Sequence, residues 1–295
     1  MHEKSNGLIN VIVVTQKKGN YLSLCLDSIS AQTYSNLTVS VIDNSQENLF
    51  YCQALNKGIA QGAAEFVLCL NDDVILEPAF IKEALKGFAL NGNIGLVSGK
   101  ILRTDRKTLD STGLFLTYWR TAKERGYGNL DKGQFDKPQY IFGVNGAVAF
   151  YRRQMLEETK VNSEYFDHNF RIFYEDLDIS WRAHRRGWKG YYVPLAVAYH
   201  VRGGTVRKER GINKKHARKY ISDELYVDLI KNRYLTIIRN EAFISFILFS
   251  PFMLAYDLLA WIHILVSRPR LLKKIFFIIS LLIPEFKKRL SRNVF

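Results

Sequence analysis

Two carboxylates and an amide stand together where an apolar run of the sequence ends. The run from Glu65 to Leu70 has the length and composition of a buried β-strand, and Asn71, Asp72 and Asp73 follow it directly. Adjacent carboxylates repel each other, and burying them is costly unless a cation or hydrogen-bond donors compensate. Mg²⁺ prefers oxygen ligands and commonly bridges one or two carboxylates to a diphosphate. The segment therefore predicts either a metal site for a phosphorylated ligand or a solvated Asn-Asp turn.

A second acidic cluster opens a segment with helical spacing. Glu175, Asp176 and Asp178 lie within four residues, ahead of apolar positions on one predicted helix face. Carboxylates in a first helical turn are stabilised by the helix dipole, so this pattern alone is equally typical of an ordinary helix start. Asp178 lies four residues before Arg182, a spacing that predicts an ion pair on the helix surface.

A single histidine, His200, ends the apolar run that starts at Pro194. A lone histidine is more often structural than functional, although neutral imidazole is a competent metal ligand. Directly after it, Arg202 and two glycines lead into a cationic stretch that reaches Lys219 and includes Arg207. Such charges could neutralise a diphosphate, or they could form an ordinary solvated basic loop.

The elements that must position these residues alternate along the first part of the chain. Strand patterns cover residues 8–15, 37–42 and 65–70, and helical patterns cover 21–30 and 54–61. This alternation predicts βαβ units and a mostly parallel sheet. Right-handed crossovers then place Thr15, Asp43 and Asp73 at one edge of the sheet, where ligands of open α/β sheets bind. Neither GxGxxG after the first strand nor the GxxxxGK[ST] phosphate loop is present.

Eight short segments, each weak alone, occur in the order of a known enzyme family. They are VIVVT (11–15), LCLDSISAQTY (24–34), VIDNS (41–45), ALNKGIAQG (54–62), LNDDV (70–74), GVNGAVAFYRR (143–153), YEDLDISWRAHRRGW (174–188) and PLAVAYH (194–200). With these segments the chain resembles the inverting family-2 glycosyltransferases. The resemblance spans roughly residues 8–240. It implies an α/β fold of the glycosyltransferase-A type, with a mostly parallel central sheet flanked by helices.

The resemblance also implies roles for the two acidic clusters. Asp176 corresponds to the general base that removes the proton of an acceptor hydroxyl, and Glu175 would orient the acceptor or the base. Asp73 and His200 correspond to the ligands of a divalent metal. Mg²⁺ prefers oxygen, whereas Mn²⁺ tolerates a mixed set, so both ions are candidates.

Donor and acceptor contacts follow from the same resemblance. The donor, a nucleotide sugar, would contact Thr15, Asp43, Lys57, Asn71, Asp72, Arg202 and Arg207. For Lys57 the sequence equally allows a merely solvated position. The acceptor would contact Asn145 and Gly146 in a glycine-punctuated loop, together with Trp119 from the loop-rich region 103–139.

Within the family the pattern is most similar to the rhamnosyltransferases. Asn71 in place of an aspartate, the compact YEDLDISWR motif and KNRYLTIIRN (231–240) carry this resemblance. It implies L-rhamnose from a dTDP donor, with a UDP-sugar or another nucleotide-activated hexose as the alternative. Two departures from the family pattern weaken the expected donor contacts. Gln16 and Lys17 follow Thr15 where members often have TYN, and Asn71 replaces a carboxylate that some members use on the ribose.

Composition agrees with an anionic substrate. The chain has 295 residues, 42 basic and 28 acidic, and a formal net charge of +14. This excess suits nucleotide diphosphates, anionic lipids or nucleic acid. Of the stacking aromatics that nucleic-acid binding requires, only Tyr220 lies close to the cationic stretch, which disfavours that partner. Three cysteines without metal spacing favour a reducing compartment, and the polar N-terminus does not resemble a signal peptide.

The C-terminal region predicts a helical membrane-associating appendage. An apolar run of 24 residues (243–266) is long enough to span a bilayer, but Pro251, Asp257 and His263 interrupt it. A shorter run (275–284) follows, with basic residues on both sides. We therefore expect a catalytic domain over 1–240 and interfacial helices over 241–295, on the cytoplasmic face of the cell membrane as a peripheral or monotopic protein. The alternatives are helices packed on the catalytic domain or a homodimer interface.

This location favours a lipid-linked glycan acceptor, such as a polyprenyl diphosphate glycan, or a cell-surface glycan. A second class of function is a non-catalytic, membrane-bound scaffold that binds nucleotide sugars. The three residues Asp73, Asp176 and His200 favour the enzyme, because a binding module needs no base. A processive polysaccharide synthase is disfavoured, since the QxxRW-type motif is absent.

Overall fold

The computed structural model describes residues 7–16, 20–44, 49–202 and 221–291. The elements of the first part are β1 (Ile9–Thr15), α1 (Asn20–Ser30), β2 (Leu37–Asp43), α2 (Tyr51–Ala60), β3 (Phe66–Asn71), β4 (Val74–Leu76), α3 (Phe80–Leu90) and β5 (Ile94–Arg103). Those of the middle part are β6 (Leu109–Ser111), β7 (Leu114–Leu116), β8 (Ala122–Glu124), β9 (Gln139–Ile141), β10 (Val148–Arg152), α4 (Arg153–Glu158), α5 (Glu175–Arg185) and β11 (Lys189–His200). Three helices follow: α6 (Asp223–Asn240), α7 (Phe243–Ser267) and α8 (Ile275–Ser291).

A nine-stranded sheet organises the described residues, with the main order β2-β1-β3-β10-β5-β11-β4. β1 pairs in parallel with both β2 and β3, and β5 pairs in parallel with β11, whereas β10 is antiparallel to its two neighbours. Thr15 pairs with Asp43, and Val14 pairs with Asn71. The predicted strands and helices of the first seventy residues are confirmed, and so is their parallel order.

Alternate residues of the buried strands face two hydrophobic layers. Along β1, Val11 and Val13 pack with α1 and α3, whereas Ile12 and Val14 pack with α2 and α5. Because the sheet is covered on both faces, its central strands are apolar throughout and show no alternation in the sequence. Polar side chains are thus displaced to the strand ends, which is where the site forms.

A small hairpin joins the catalytic part to the C-terminal helices. β7 and β8 pair in antiparallel, and the turn between them carries Trp119 and Arg120. Arg120 is buried against Glu241, which directly follows α6, and its guanidinium lies over the ring of Phe249 in α7. The ring of Trp119 stacks on Tyr256 at a centroid distance of 6.3 Å.

Helix α7 exposes an apolar surface to solvent. Among the described residues it is the one helix long and apolar enough to cross a membrane by length and composition, and only 6% of its most apolar window is buried. Asp257 faces the protein, because it pairs with Arg233 of α6 at 2.5 Å. The structure therefore removes one objection to a membrane span, because the Asp257 carboxylate would not face the hydrocarbon. Leu254, Leu258 and Leu265 are each more than half exposed.

Candidate active site

The acidic segment after β3 lies at the carboxyl edge of the sheet, as predicted. Thr15 at the end of β1 is buried and donates a hydrogen bond from Oγ1 to Asp72 Oδ2 at 2.7 Å. Asp43 ends the neighbouring strand. Asp73 is only 5% exposed. One edge of the sheet therefore holds five residues that the sequence analysis predicts to contact the donor or the metal: Thr15, Asp43, Asn71, Asp72 and Asp73.

His200 joins this edge through Asp73. Its Nε2 lies 3.3 Å from Asp73 Oδ1, and its Nδ1 lies 2.8 Å from Asp110 Oδ2. Burial disfavours the imidazolium, but hydrogen bonds to Asp110 and Asp73 outweigh it and raise the pKa of His200 to about 9. The arrangement suits a protonated bridge between two carboxylates as well as a metal ligand.

The donor atoms fit a divalent ion. Two ligand atoms about 2.1 Å from a metal and at right angles to each other lie about 3.0 Å apart, close to the separation of His200 Nε2 and Asp73 Oδ1. A metal-binding histidine usually donates its other ring N–H to a carboxylate, which fixes its orientation. Asp110 occupies that position here. Asp73 and His200 could thus hold Mg²⁺ or Mn²⁺ together with oxygens of a bound diphosphate.

Asp110 is a residue that the sequence analysis missed. It lies in β6, is fully buried, and accepts a hydrogen bond from Arg202 Nη1 at 2.8 Å. Burial opposes its ionisation, but His200 and Arg202 together lower the pKa of Asp110 to about 2. In the sequence it stands in a short polar segment of the loop-rich region, where no strand pattern marks it.

The second acidic cluster approaches the same edge through the glycine-punctuated loop. The N–H of Asn71 donates to Ala147 O at 3.0 Å, which fixes this loop beside the acidic segment. The N–H of Gly146 in turn lies 3.3 Å from Asp176 Oδ2. A side chain at Gly146 would place its Cβ 3.2 Å from Glu175 Oε1, so a larger residue here would displace that carboxyl group by a few tenths of an ångström.

Glu175 and Asp176 form a pair of neighbouring carboxyl groups, of which Glu175 is buried and Asp176 is partly exposed. Desolvation raises the pKa of both, and the Asp176 charge helps to raise the pKa of Glu175 to about 8. Two backbone N–H groups, of Leu177 at 2.8 Å and Gly146 at 3.3 Å, stabilise the charged form of Asp176. These surroundings favour a shared proton on Glu175 and the negative charge on Asp176.

A strained segment presents this pair. Arg171, Phe173 and Tyr174 all have φ between +59° and +69°, a conformation that non-glycine residues rarely adopt. Asn232 of α6 is fully buried, and its Nδ2 lies 2.7–2.8 Å from the carbonyl oxygens of Phe170, Ile172 and Phe173. The predicted pair of Asp178 and Arg182 is confirmed at 2.7 Å, and Asn240 Nδ2 donates to the other oxygen of Asp178.

Glu124 of β8 is another residue that the sequence analysis missed. One carboxylate oxygen accepts a hydrogen bond from Asn145 Nδ2 at 2.6 Å, and Arg202 lies 3.6 Å away. The second oxygen is buried and has no hydrogen-bond partner among the described residues. Burial raises the pKa of Glu124 to about 7 against the opposing charge of Arg202. A cavity of about 700 Å³ opens beside Glu124, Tyr127 and Arg202.

Two residues predicted to contact substrates lie apart from this arrangement, and a third falls outside the described residues. Lys57 lies in the last turn of α2, next to Gly58, whose carbonyl accepts a hydrogen bond from Asn10 near the start of β1. It therefore faces the opposite edge of the sheet, and its position does not support the predicted phosphate contact. The contacts of Trp119 are with Arg233 and Tyr256 of the C-terminal helices, so its role toward the acceptor stays a prediction. Arg207 lies outside the described residues.

Solved glycosyltransferases share this fold. A mannosyltransferase from Pyrobaculum calidifontis, solved with GDP-Man and Mn²⁺, aligns with a TM-score of 0.52 at 14% identity, over 97% of this chain and 74% of that one. GalNAc-T7, solved with UDP, GalNAc and Mn²⁺, aligns with a TM-score of 0.53 at 12% identity, over 81% of this chain and 52% of that one. These likenesses confirm the predicted glycosyltransferase-A fold.

Sequence comparisons agree with the fold. Poly-beta-1,6-N-acetyl-D-glucosamine synthase of Staphylococcus aureus is 25% identical over 154 residues, which cover 52% of this chain and 34% of that protein. The chain thus matches about a third of the length of this curated relative. The profile described as glycosyltransferase-like family 2 matches residues 39–222, more than half of the chain. The chain therefore belongs to glycosyltransferase family 2.

Proposed function

We propose that the chain is an inverting, metal-dependent glycosyltransferase that moves a sugar from a nucleotide diphosphate to an acceptor hydroxyl. The observation that carries this proposal is the placement of the Asp176 carboxyl group against Gly146, on a loop tied to the acidic segment that contains Asp73. A base and a diphosphate-binding edge thereby face one site. A nucleotide-sugar-binding scaffold would not require the Glu175–Asp176 pair.

The chemistry follows from the charges of these residues. Asp73 and His200 would hold the divalent ion, and its positive charge would stabilise the negative charge on the departing diphosphate. Asp176 accepts the proton of the acceptor hydroxyl while the hydroxyl oxygen forms its bond to the anomeric carbon of the sugar. The bond from that carbon to the diphosphate breaks in the same step, and the nucleoside diphosphate leaves. Glu175 keeps its proton and can donate a hydrogen bond to the acceptor.

For the substrates, we propose L-rhamnose from a dTDP donor, with a UDP-sugar as the alternative. The rhamnosyltransferase-like YEDLDISWR and KNRYLTIIRN segments support this choice, since the first carries Glu175 and Asp176 and the second contacts the segment that precedes them. The acceptor would be a lipid-linked or cell-surface glycan. The exposed apolar face of α7 supports contact with a membrane. We place the protein at the cytoplasmic face, with residues 1–240 as the catalytic domain and 241–295 as the membrane-associating region.

The decisive experiment compares the wild type with Asp176→Asn, which keeps the shape of the side chain but cannot accept a proton. With a panel of nucleotide sugars, Mn²⁺ and a membrane extract as acceptor, we expect turnover to fall by about 10²–10⁴-fold. Donor binding, measured by thermal shift, should change little. A loss of less than about fivefold would move the base elsewhere, with Glu175 next in line.

The anomeric configuration of the product gives an independent test. A single displacement with one base predicts inversion, so a β-linked rhamnosyl nucleotide should give an α-linked product. One-bond carbon–proton couplings of the product anomer distinguish the two outcomes. Retention would contradict the mechanism even if turnover were observed.

A further inference from the structure

A cleft of about 540 Å³ lies between the catalytic part and the C-terminal helices. Four cations line it: Arg171 from the segment before α5, Lys231 from α6, and Lys273 and Lys274 from the 3₁₀ turn before α8. We refer to it as the basic cleft. It does not contain any residue of the candidate active site.

The cations of the basic cleft outnumber its carboxylates. Glu224 and Asp228 also line it, which leaves a formal charge of +2 from four cations and two carboxylates. Asp228 is buried and lies 3.1 Å from Lys231 and 3.7 Å from Arg171, so its charge is compensated within the wall. Lys273 and Lys274 are exposed at the mouth. The net charge suits an anion.

Arg171 has donors to offer such an anion. Its Nε is buried and lies 3.7 Å from Asp228 Oδ2 without a hydrogen bond, whereas the side chain as a whole is 41% exposed. Its guanidinium lies over the ring of Phe50 at 3.9 Å. A planar, partly exposed guanidinium matches the geometry of phosphate oxygens.

The part of the cleft wall that α8 supplies is apolar and continues onto the exposed surface of this helix. Phe277 and Leu281 line the cleft and are 56% and 39% exposed. Along the same helix Phe276, Ile279 and Ile283 are also exposed. A ligand that fits both walls carries an anionic head and a hydrocarbon tail. Basic residues beside apolar helices are where such head groups meet a membrane protein.

Two segments of the chain reach from the basic cleft to the candidate active site. Phe50 lines the cleft, and the next residue, Tyr51, donates from its hydroxyl to Gly146 O at 2.8 Å. Arg171 lies five residues before Asp176, so their Cα atoms are at most about 18 Å apart even if the chain were fully extended. A diphosphate and a short saccharide can cover this distance.

We propose that the basic cleft binds the diphosphate of a lipid-linked acceptor, with the lipid chain along Phe277 and Leu281. Arg171, Lys273 and Lys274 would contact the phosphates, and the attached glycan would extend past Tyr51 toward Asp176. This inference rests on the proposed function. It identifies where the acceptor lipid enters and why α8 packs beside the catalytic part.

The test uses the full chain in mixed micelles of neutral detergent that contain either a polyprenyl diphosphate or phosphatidylglycerol at equal charge. We expect the wild type to bind the polyprenyl diphosphate at least tenfold more tightly. Lys273→Gln/Lys274→Gln should lose this preference. Arg270→Gln/Lys287→Gln removes the same charge from neighbouring positions outside the cleft and should keep it. Arg171→Lys, which keeps the charge but not the planar fork, should weaken the preference on its own.

Other results would overturn the proposal. Equal affinity of the wild type for both lipids would mean a general anionic surface, and inorganic pyrophosphate that binds as tightly as the polyprenyl diphosphate would mean a site for free phosphate. An unchanged preference in Lys273→Gln/Lys274→Gln would place the lipid elsewhere.

Thermal shift with nucleotide sugars and Mn²⁺ is measured on the same proteins. If donor binding is intact when the lipid preference is missing, only the cleft assignment fails. If the wild type binds no nucleotide sugar, the proposed function fails.

Discussion

At the scale of single residues, the candidate site is built on unequal carboxyl groups. Glu175 and Asp176 are neighbours in sequence, yet backbone N–H groups of Leu177 and Gly146 point at Asp176, whereas Glu175 Oε2 has no partner among the described residues. Their environments therefore separate a proton donor from a proton acceptor. This separation is costly to the fold, because Glu175 must stay protonated in the folded protein at a pH where the unfolded chain ionises it.

The cost can be measured with Glu175→Gln. The raised pKa of Glu175, about 8, means that its stabilising neutral form is fully present below the unfolded value of 4.5 and is lost as the pH rises through about 8. Glutamine stays neutral throughout. For a chain of this size, 1 kcal/mol in the free energy of unfolding corresponds to about 2–4 °C in Tm. We therefore expect the Tm of the variant minus the Tm of the wild type to be at least about 3 °C larger at pH 8.5 than at pH 5.

Thermal melts at the two pH values, without metal or donor, measure this difference. Glu65→Gln is the control, because its carboxylate is 53% exposed. A pH-independent difference between wild type and Glu175→Gln would mean that Glu175 ionises freely in the folded protein. The assignment of the proton within the pair would then be wrong.

Asp110 allows a second residue-scale prediction. Removing the carboxylate that orients a metal-binding histidine typically lowers metal affinity by about 10–100-fold. We expect Asp110→Asn to raise the Mn²⁺ concentration for half-maximal turnover by that factor, with a smaller effect on turnover at saturating Mn²⁺. Tyr199→Phe, beside His200 but bonded to Glu77, serves as the control. An unchanged Mn²⁺ dependence would make the contact of Asp110 with His200 purely structural.

At the scale of elements, α6 supports the strained entry to α5. In the sequence, its KNRYL segment stands out only by its resemblance to the rhamnosyltransferases. In the structure, this segment hydrogen-bonds to the backbone before α5. Asn232 fixes three carbonyl oxygens of residues 170–173, and Lys231 donates to Asn169 O. Strain of this kind persists only where the surroundings over-determine it. Three positive φ values in four residues make this segment sensitive to the loss of its support.

We therefore predict that Asn232→Ala lowers turnover more than its effect on stability explains. Its hydrogen bonds to the 170–173 carbonyls would be lost, each worth about 0.5–1.5 kcal/mol, and Glu175 and Asp176 would lose their fixed approach to Gly146. We expect at least a tenfold fall in turnover at a temperature well below the Tm. Thr236→Val, one turn later on α6, removes a bond within the helix only. If both variants lose activity in proportion to their Tm, α6 has no positioning role.

The sequence predicts the elements around the sheet edge better than the connections between them. Continuous apolar runs and helical spacing identify β1, β2, β3, α1 and α2, and these elements bring Thr15, Asp43 and Asp73 together. Asp110 and Glu124 escape prediction because their strands have three residues each, too short to show a period. For Lys57, helical spacing alone does not say which end of α2 lies at the site, so its phosphate contact stays a prediction that its place in the last turn of α2 does not support.

At the scale of the whole molecule, the catalytic part and the C-terminal helices are joined by buried charges. Arg120 pairs with Glu241, and Arg289 of α8 donates to the carbonyl oxygens of Ile238 and Glu241. A chain cut after residue 240 would leave Arg120 buried without its partner, and breaking such a pair typically costs about 3–5 kcal/mol. The role of the appendage is therefore better tested by surface substitutions than by truncation.

Three exposed leucines of α7 offer this test. Leu254, Leu258 and Leu265 are 68%, 62% and 58% exposed and lie on one stripe of the helix. Burying a leucine side chain is worth about 1.5–3 kcal/mol, so Leu254→Gln/Leu258→Gln/Leu265→Gln should weaken membrane association by more than about 100-fold while the Arg120–Glu241 contact is kept. We expect the wild type to fractionate with membranes and to need detergent for release, and the triple variant to appear largely in the supernatant.

The control places the same three changes at Leu90, Leu130 and Leu195, which are 62%, 56% and 67% exposed on the catalytic part. This variant should stay with the membranes, because those leucines lie away from the C-terminal helices.

Alkaline carbonate then separates the two membrane geometries, since it strips interfacial helices more readily than a spanning helix. If the wild type stayed in the supernatant without detergent, an apolar surface of this size would have to be covered by a second copy of the chain. Its sedimentation as a dimer, lost in the triple variant, would replace the membrane as the partner of α7.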